Sequence, residues 1–327
     1  MGEISNGEQP LLSSGSRQAE HQRGAFTDQM PFATAVDLLR AAGWQVAETA
    51  GDLSIGVGPD PADHEPVPQG MIASDLVDGH RLLRATGFGA LDLHLADSVT
   101  SAATIDEALV GLNWVMIRAG EMTGIARAPD RGTEGARTVR AGVPLAGRPL
   151  CELAGWLCSL DPLRRSIGLA CVNAFWNRAN GAAAVTEETP WGFARFTPPG
   201  EGLVIIGAFP QATKRLPGAC VIEREPKGRE IPVGAAPQTL ATAKAVAITA
   251  QALMNGSLEP LLCHAAACPR IMLLGPSAPV SPILGGHGIA ESCGLAITNT
   301  EATASFIKET GTMIALDSYT QKLAWTA

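Results

Sequence analysis

The sequence predicts an α/β protein whose C-terminal part is an open, largely parallel sheet. Two observations predict it. From about residue 200 short apolar runs, GLVIIGAFP, ACVIEREP, AVAITA, RIMLLGPSAP and MIALD, alternate with helical stretches, the order of a sheet wound with helices. Those runs are apolar on both faces, as strands covered on both sides must be. The length, 327 residues, fits roughly two domains of about 100–200 residues each.

The elements follow in order. Residues 1–30 are polar, aperiodic and rich in Ser, Gly, Gln and Glu, a disordered tail without the charged-then-apolar layout of a signal peptide. PFATAVDLLRAAGW places Ala35, Leu38, Leu39 and Ala42 at helical spacing, and Gly43 stops the helix. Leu91, Leu93 and Leu95 alternate with Asp92 and His94, which predicts a half-exposed strand. TIDEALVGLNWVMIRAG and MTGIARAP predict strands or a hairpin around Gly120, and DRGTEGART a charged loop. LCELAGWLCSL and DPLRRSIGLACVNAFWNRANG predict two helices. The second has Asp161 as N-cap, Pro162 in its first turn and Gly181 beyond its end.

Composition excludes several classes. Lys and Arg total 24 against 32 Asp and Glu, a net charge of −8. This disfavours nucleic acid and anionic membrane surfaces, which select clustered cations. No apolar run approaches the ~18 residues of a membrane helix. Seven cysteines without a CxxC are too few for a disulfide scaffold. The expectation is a cytoplasmic protein with reduced thiols. A chain this apolar could also form a homodimer.

Ligands of an open parallel sheet bind beyond the carboxyl ends of its strands. That rule selects Gly207, Phe209 and Pro210 after the first run, and Glu223 and Glu225 after the second. It selects Thr249 and, one loop on, Asn255 after the third, then Gly275, Pro276, Ser277 and Pro279 after the fourth. Were the second run extended to Pro226, Glu223 and Glu225 would share a face about 7 Å apart, with Arg224 pointing away. Two such carboxylates could bind a cation, or one could act as general acid or base, unless the run is a solvated end neutralised by Arg224 and Arg229. Ser257 is a candidate N-cap with Pro260 in the first turn, a helix start that offers free N–H groups to an anion.

Other candidates are weaker. GAFPQA carries one glycine where a dinucleotide fingerprint needs three, and no Walker loop, GxSxG or HExxH occurs. Cys151 and Cys158 share a helical face but stand about 10.5 Å apart along it, too far for a bridge or one metal. Cys263, His264 and Cys268 share a metal only if their helix ends early. GGHGIAESCG reads as a Gly-rich loop between His287 and Cys293, and His287, beside three glycines, is the best placed histidine. Asp75, Asp78, His80, Asp92 and His94 read as a solvated face.

SIGLACVNAFWN, VIIGAFP, VIEREP, TAQALMNGSLEPLL and LLGPSAPVSP occur in an order that resembles the family named for proposed heavy-metal chelation. VGLNWVMIRAGEMTGIA resembles that family's N-terminal domain, itself similar to the N-terminal domain of enolases. The resemblance covers roughly residues 105–327. It implies a smaller α+β enolase-N-terminal-like domain, residues 31–185, before a Rossmann-like domain, residues 186–327, with a site in the cleft between them. It implies binding of a transition metal or metal complex. Its interface candidates are Asn173, Phe209, Pro210, Glu223, Asn255, Ser277 and Pro279. Glu223, the one full negative charge among the interface candidates, is then the expected metal-binding residue. The alternative is an enzyme of small-molecule metabolism using the same cleft, metal-dependent or S-adenosylmethionine-binding, although no nucleophile–base pair is legible.

Overall fold

Residues 45–49, 53–57, 75–77, 80–82, 91–129, 144–159, 162–180, 183–184, 200–207, 209, 214–309 and 313–327 are described by a computed structural model. The tail, the helix expected around Leu38, the loop at 130–138, Asp161, Gly181 and Pro210 lie outside them. The chain divides into two units. The first is Met1–Ala90 with Arg140–Gly142 and Cys158–Leu160. Its described strands are β1 (Gln45–Thr49) with β2 (Leu53–Val57) and β3 (Asp75–Val77) with β4 (His80–Leu82), each an antiparallel pair.

The second unit begins with α1, Leu91–Asp97. Three antiparallel strands follow: β5 (Glu107–Val110), β6 (Trp114–Ala119) and β7 (Met122–Arg127). The turn between β6 and β7 falls at Gly120, whose φ of 61° suits glycine. Both faces of this small sheet are buried. Val115, Ile117 and Ala126 join the core of α2 (Leu150–Ala154) and α3 (Pro162–Trp176). Trp114, Met116 and Ile125 pack instead with Leu295 and with Ala304 and Ile307 of α7 (Thr300–Lys308). Asn299 caps that helix by accepting the Ala302 N–H at 3.0 Å.

The large sheet holds eight strands in the order β11-β10-β9-β12-β13-β14-β15-β8. These are β8 (Ala183–Ala184), β9 (Leu203–Ile206), β10 (Cys220–Glu223), β11 (Ile231–Pro232), β12 (Ala245–Thr249), β13 (Ile271–Leu274), β14 (Glu291–Ile297) and β15 (Thr320–Thr326). β9 to β14 are mutually parallel, β15 runs antiparallel to β14, and β8 runs antiparallel to β15 and so returns to the direction of the others. Ile206 stands beside both Ile222 and Ile248, and Ile248 beside Leu273. Alternation then sends Val204, Ile206, Ile222, Val246, Ile248, Ile271 and Leu273 into one core. That core includes Leu240 of α4 (Ala236–Leu240), Leu253 of α5 (Gln251–Met254), and Leu258 and Leu261 of α6 (Leu258–His264). Leu203, Ile205, Ala247, Met272 and Leu274 form the other core with Leu216 and Phe209. The protein is thus mixed α/β, with a parallel-rich sheet and a small antiparallel one.

Three expectations are corrected. Leu91–Leu95 is helix, because Leu91 and Leu95 lie one turn apart on its buried face and Asp92 is buried with them. MIALD lies in a 3-10 helix, Met313–Ser318, and the last strand is β15. GGHGIAESCG is not one loop: a 3-10 helix, Pro282–His287, precedes β14, so the sheet extends past β13 and closes with antiparallel strands. No described helix is long and apolar enough to cross a membrane.

Candidate functional site

The order of the large sheet reverses at β9. From there the chain goes outward to β10 and β11, then returns to β12 on the other flank of β9 and continues to β13 and β14. The chain connections on the two flanks of β9 therefore diverge, the arrangement at which open parallel sheets form a ligand crevice beyond their carboxyl ends. Gly207 follows β9 with φ 96°, and a Cβ there would stand 2.6 Å from Thr249 Cγ2. The Thr249 side chain needs the space a glycine leaves, so the two strand ends meet closely. Thr249 Oγ1 also accepts the Gln251 N–H at 3.4 Å as the chain turns into α5. Gly275, after β13, has φ 126°, and its nearest neighbours to a built Cβ are atoms of Ala250 at 3.9 Å. Gly275 is itself buried, its N–H donating to Cys293 O at 3.1 Å and its carbonyl accepting the Ala278 N–H at 2.9 Å.

Glu223 ends β10, half-buried, and one carboxylate oxygen accepts the Arg224 N–H at 2.9 Å. The strand stops there. Glu225 lies in the exposed turn that follows, so the extended run on which a shared face was expected does not form. Asn255 is exposed and its Oδ1 accepts both the N–H and the hydroxyl of Ser257, at 3.0 and 2.7 Å. Ser257 stands at the N-cap of α6 without a side-chain capping bond, since its hydroxyl is turned to Asn255. Phe209 is half-buried against the second core.

The loop after β13 is fixed from several sides. Asn173, on α3, donates from Nδ2 to the carbonyls of Ile125 and Ser277 at 2.8 and 3.0 Å. The Arg127 N–H donates to Ser277 Oγ at 2.8 Å, leaving that hydroxyl's own proton available. Asn177 donates to Ala278 O and accepts the Val280 N–H. Ser292 Oγ donates to Pro279 O at 2.6 Å. The small sheet and α3 thereby fix the loop after β13. Asn173 Oδ1 is buried and has no hydrogen-bond partner among the described residues.

Three features were not legible as functional or structural sites. Asp92 is not on a solvated face: it is buried, and Arg165 NH2 lies 2.8 Å from its carboxylate. The same guanidinium donates to the carbonyls of Leu253 and Met254 at the end of α5. Glu259, also buried, accepts the Leu91 N–H at 2.8 Å. His94 and His287, which are 193 positions apart, meet with Nδ1 and Nε2 separated by 2.9 Å. Burial, and then the charge of His94, lowers the pKa of His287 below the ordinary imidazole value.

The thiols do not form a metal cluster. All seven cysteines are free, Cys151 half-buried and Cys158 buried. Burial and then Glu259 push the Cys263 thiol up to about 11, and burial raises Cys268, Cys220 and Cys171 as well. Thiols held protonated are poor ligands near neutral pH. Among the described residues no group of three or more His, Cys, Asp or Glu is placed to hold a metal ion. The described strand ends therefore do not supply a full coordination set for a bare ion. They carry the carboxylate of Glu223, the hydroxyl of Thr249 and, one loop on, the carboxamide of Asn255.

Two family models match the chain, at residues 94–176 and 194–326, and both are described as "Putative heavy-metal chelation". Two solved structures share the fold. One, from Desulfitobacterium hafniense, is a DUF364 family protein with 23% identity and a TM-score of 0.66, covering 72% of this chain and 98% of its own. The other, from Pyrococcus horikoshii and the same family, has 18% identity and a TM-score of 0.60, covering 73% of this chain and 100% of its own. At these identities the likeness is one of fold. No curated protein matches the chain.

Proposed function

Because the chain belongs to the family described by heavy-metal chelation, we propose that it binds a metal as a complex with a small polar molecule at the carboxyl ends of β9, β10, β12 and β13. The observation that carries this reading is the reversal of strand order at β9, with Gly207 and Thr249 meeting at the reversal. The donor chemistry selects a complex over a bare ion. Glu223 is the carboxylate at a strand end, and the remaining groups are neutral donors and acceptors suited to a polar organic molecule. That molecule would supply most of the metal's ligands, and Glu223 would complete them. Thr249 and Asn255 would read its polar groups. The loop fixed by Asn173, Ser277 and Pro279 would hold one wall, and Phe209 and Glu225 would border the opening.

Glu223→Gln is expected to remove at least about nine-tenths of copurified metal while the urea midpoint stays near wild type, since a half-buried strand end contributes little to the core. Asn255→Ala is expected to weaken the complex less, by loosening the entry to α6. Metal analysis of untagged protein checks both. Retention of metal by Glu223→Gln, with loss in the double variant Cys263→Ser, Cys268→Ser, would move the site to the thiols.

A further inference from the structure

His94 and His287 belong to no part of that crevice argument. His94 is on the exposed side of α1, whose opposite face buries Leu91 and Leu95. His287 ends the 3-10 helix Pro282–His287, half-buried. Both supports are well fixed. Leu284 is fully buried, and Ser281 Oγ accepts the Ile283 N–H at the helix start. Gly288, with φ 80°, ends the helix with its N–H donating to Gly285 O. The ring centroids are 5.0 Å apart and the planes are tilted by 52°. His94 Nδ1 and His287 Nε2 thus face each other 2.9 Å apart.

One N–H···N hydrogen bond satisfies this geometry, and so does a metal. Two imidazole nitrogens bound at about 2.0–2.1 Å and at right angles stand about 2.9 Å apart, the edge of a square-planar or octahedral site. The tetrahedral edge is longer by only a few tenths of an ångström. An ion bound by both nitrogens would lie about 1.5 Å to one side of the N···N line, so both rings would turn from their hydrogen-bonding direction toward it. Asp97 lies one helical turn beyond His94, near enough for the charge of His94 to act on its carboxyl. The exposed side of His94 leaves the other coordination positions open.

We propose that His94 Nδ1 and His287 Nε2 form a bis-imidazole site for a divalent transition metal, Cu(II) or Ni(II) above Zn(II). Geometry and the order of affinities for nitrogen ligands give that preference. Water or a small chelating molecule fills the remaining positions. The site is separate from the strand-end crevice and does not depend on that reading. It binds the ion itself, with protein nitrogens as the anchoring ligands.

The test uses untagged full-length protein titrated with nickel chloride, and with copper sulfate under electron paramagnetic resonance. Wild type is expected to bind one ion more tightly than either His94→Gln or His287→Gln by at least about tenfold. Its copper spectrum is expected to show coupling to two nitrogens. His264→Gln is expected to leave this binding unchanged. Equal binding by wild type and both histidine variants would overturn the proposal and leave a hydrogen bond as the pair's only role. So would loss in Glu223→Gln with retention in the histidine variants. Should a histidine variant unfold, diethylpyrocarbonate labelling of wild type decides. Nickel is expected to protect both His94 and His287, and labelling unaffected by nickel would contradict the site.

Discussion

One methyl group added at Gly124 is expected to destabilise the protein by about 3 kcal/mol or more, the upper end of overpacking costs. A Cβ there would stand 2.1 Å from Ala174 N and 2.3 Å from Ala170 O, both main-chain atoms of α3. Neither side can move away cheaply. β7 is paired with β6, whose far face packs Trp114 and Met116 against α7. On α3 itself, a Cβ at Gly168 would stand 2.0 Å from Leu157 N. The helix is therefore in backbone contact through glycine on two sides. Displacing it would also strain the Asn173 bonds to Ile125 and Ser277, so a wall of the proposed site would shift. Urea unfolding of Gly124→Ala checks this against Gly155→Ala, whose added Cβ meets nothing within 4 Å. The control is expected within about 0.5 kcal/mol of wild type. A Gly124→Ala midpoint equal to the control would contradict the packing argument.

Arg165→Met is expected to cost about 3–5 kcal/mol, the range for removing one partner of a buried ion pair. Asp92 is 6% exposed and Arg165 2% exposed, so solvent cannot replace the lost charge. The guanidinium also satisfies two carbonyls, those of Leu253 and Met254. Arg165→Lys is expected to recover only part of the loss, because an ammonium cannot reproduce the fixed fork of donors. The double variant Arg165→Met, Asp92→Leu is expected to be more stable than Arg165→Met alone, since it no longer buries the carboxylate without the guanidinium. A double variant no better than the single would show that the carbonyl contacts, rather than the ion pair, dominate.

The sheet core was legible because its strands are apolar on both faces. Four of the five runs named from the sequence are strands, β9, β10, β12 and β13, and their carboxyl ends fall where expected. What failed did so where a polar or small residue has a tertiary reason. LDLHLAD alternates like a strand, but Asp92 turns inward to Arg165, 73 positions away. β14 opens with Glu291 and contains Gly294, which reads as loop. Glu291 is buried beside Arg270, at 3.0 Å, and a Cβ at Gly294 would stand 2.1 Å from Ala278 O. Glu223 and Glu225 were separated by the end of a strand that local pattern did not mark. His287 was singled out from its glycine-rich surroundings, but its partner could not be, because nothing local connects it with His94.

Native mass spectrometry of the untagged full-length protein, purified without chelators, tests the central claim most directly. The expected spectrum shows a species heavier than the bare chain by one metal plus one small organic molecule, and Glu223→Gln shows the bare chain or the chain with the organic molecule alone. A wild-type species carrying metal without any organic partner, and retained in Glu223→Gln, would contradict a metal complex bound at the strand ends.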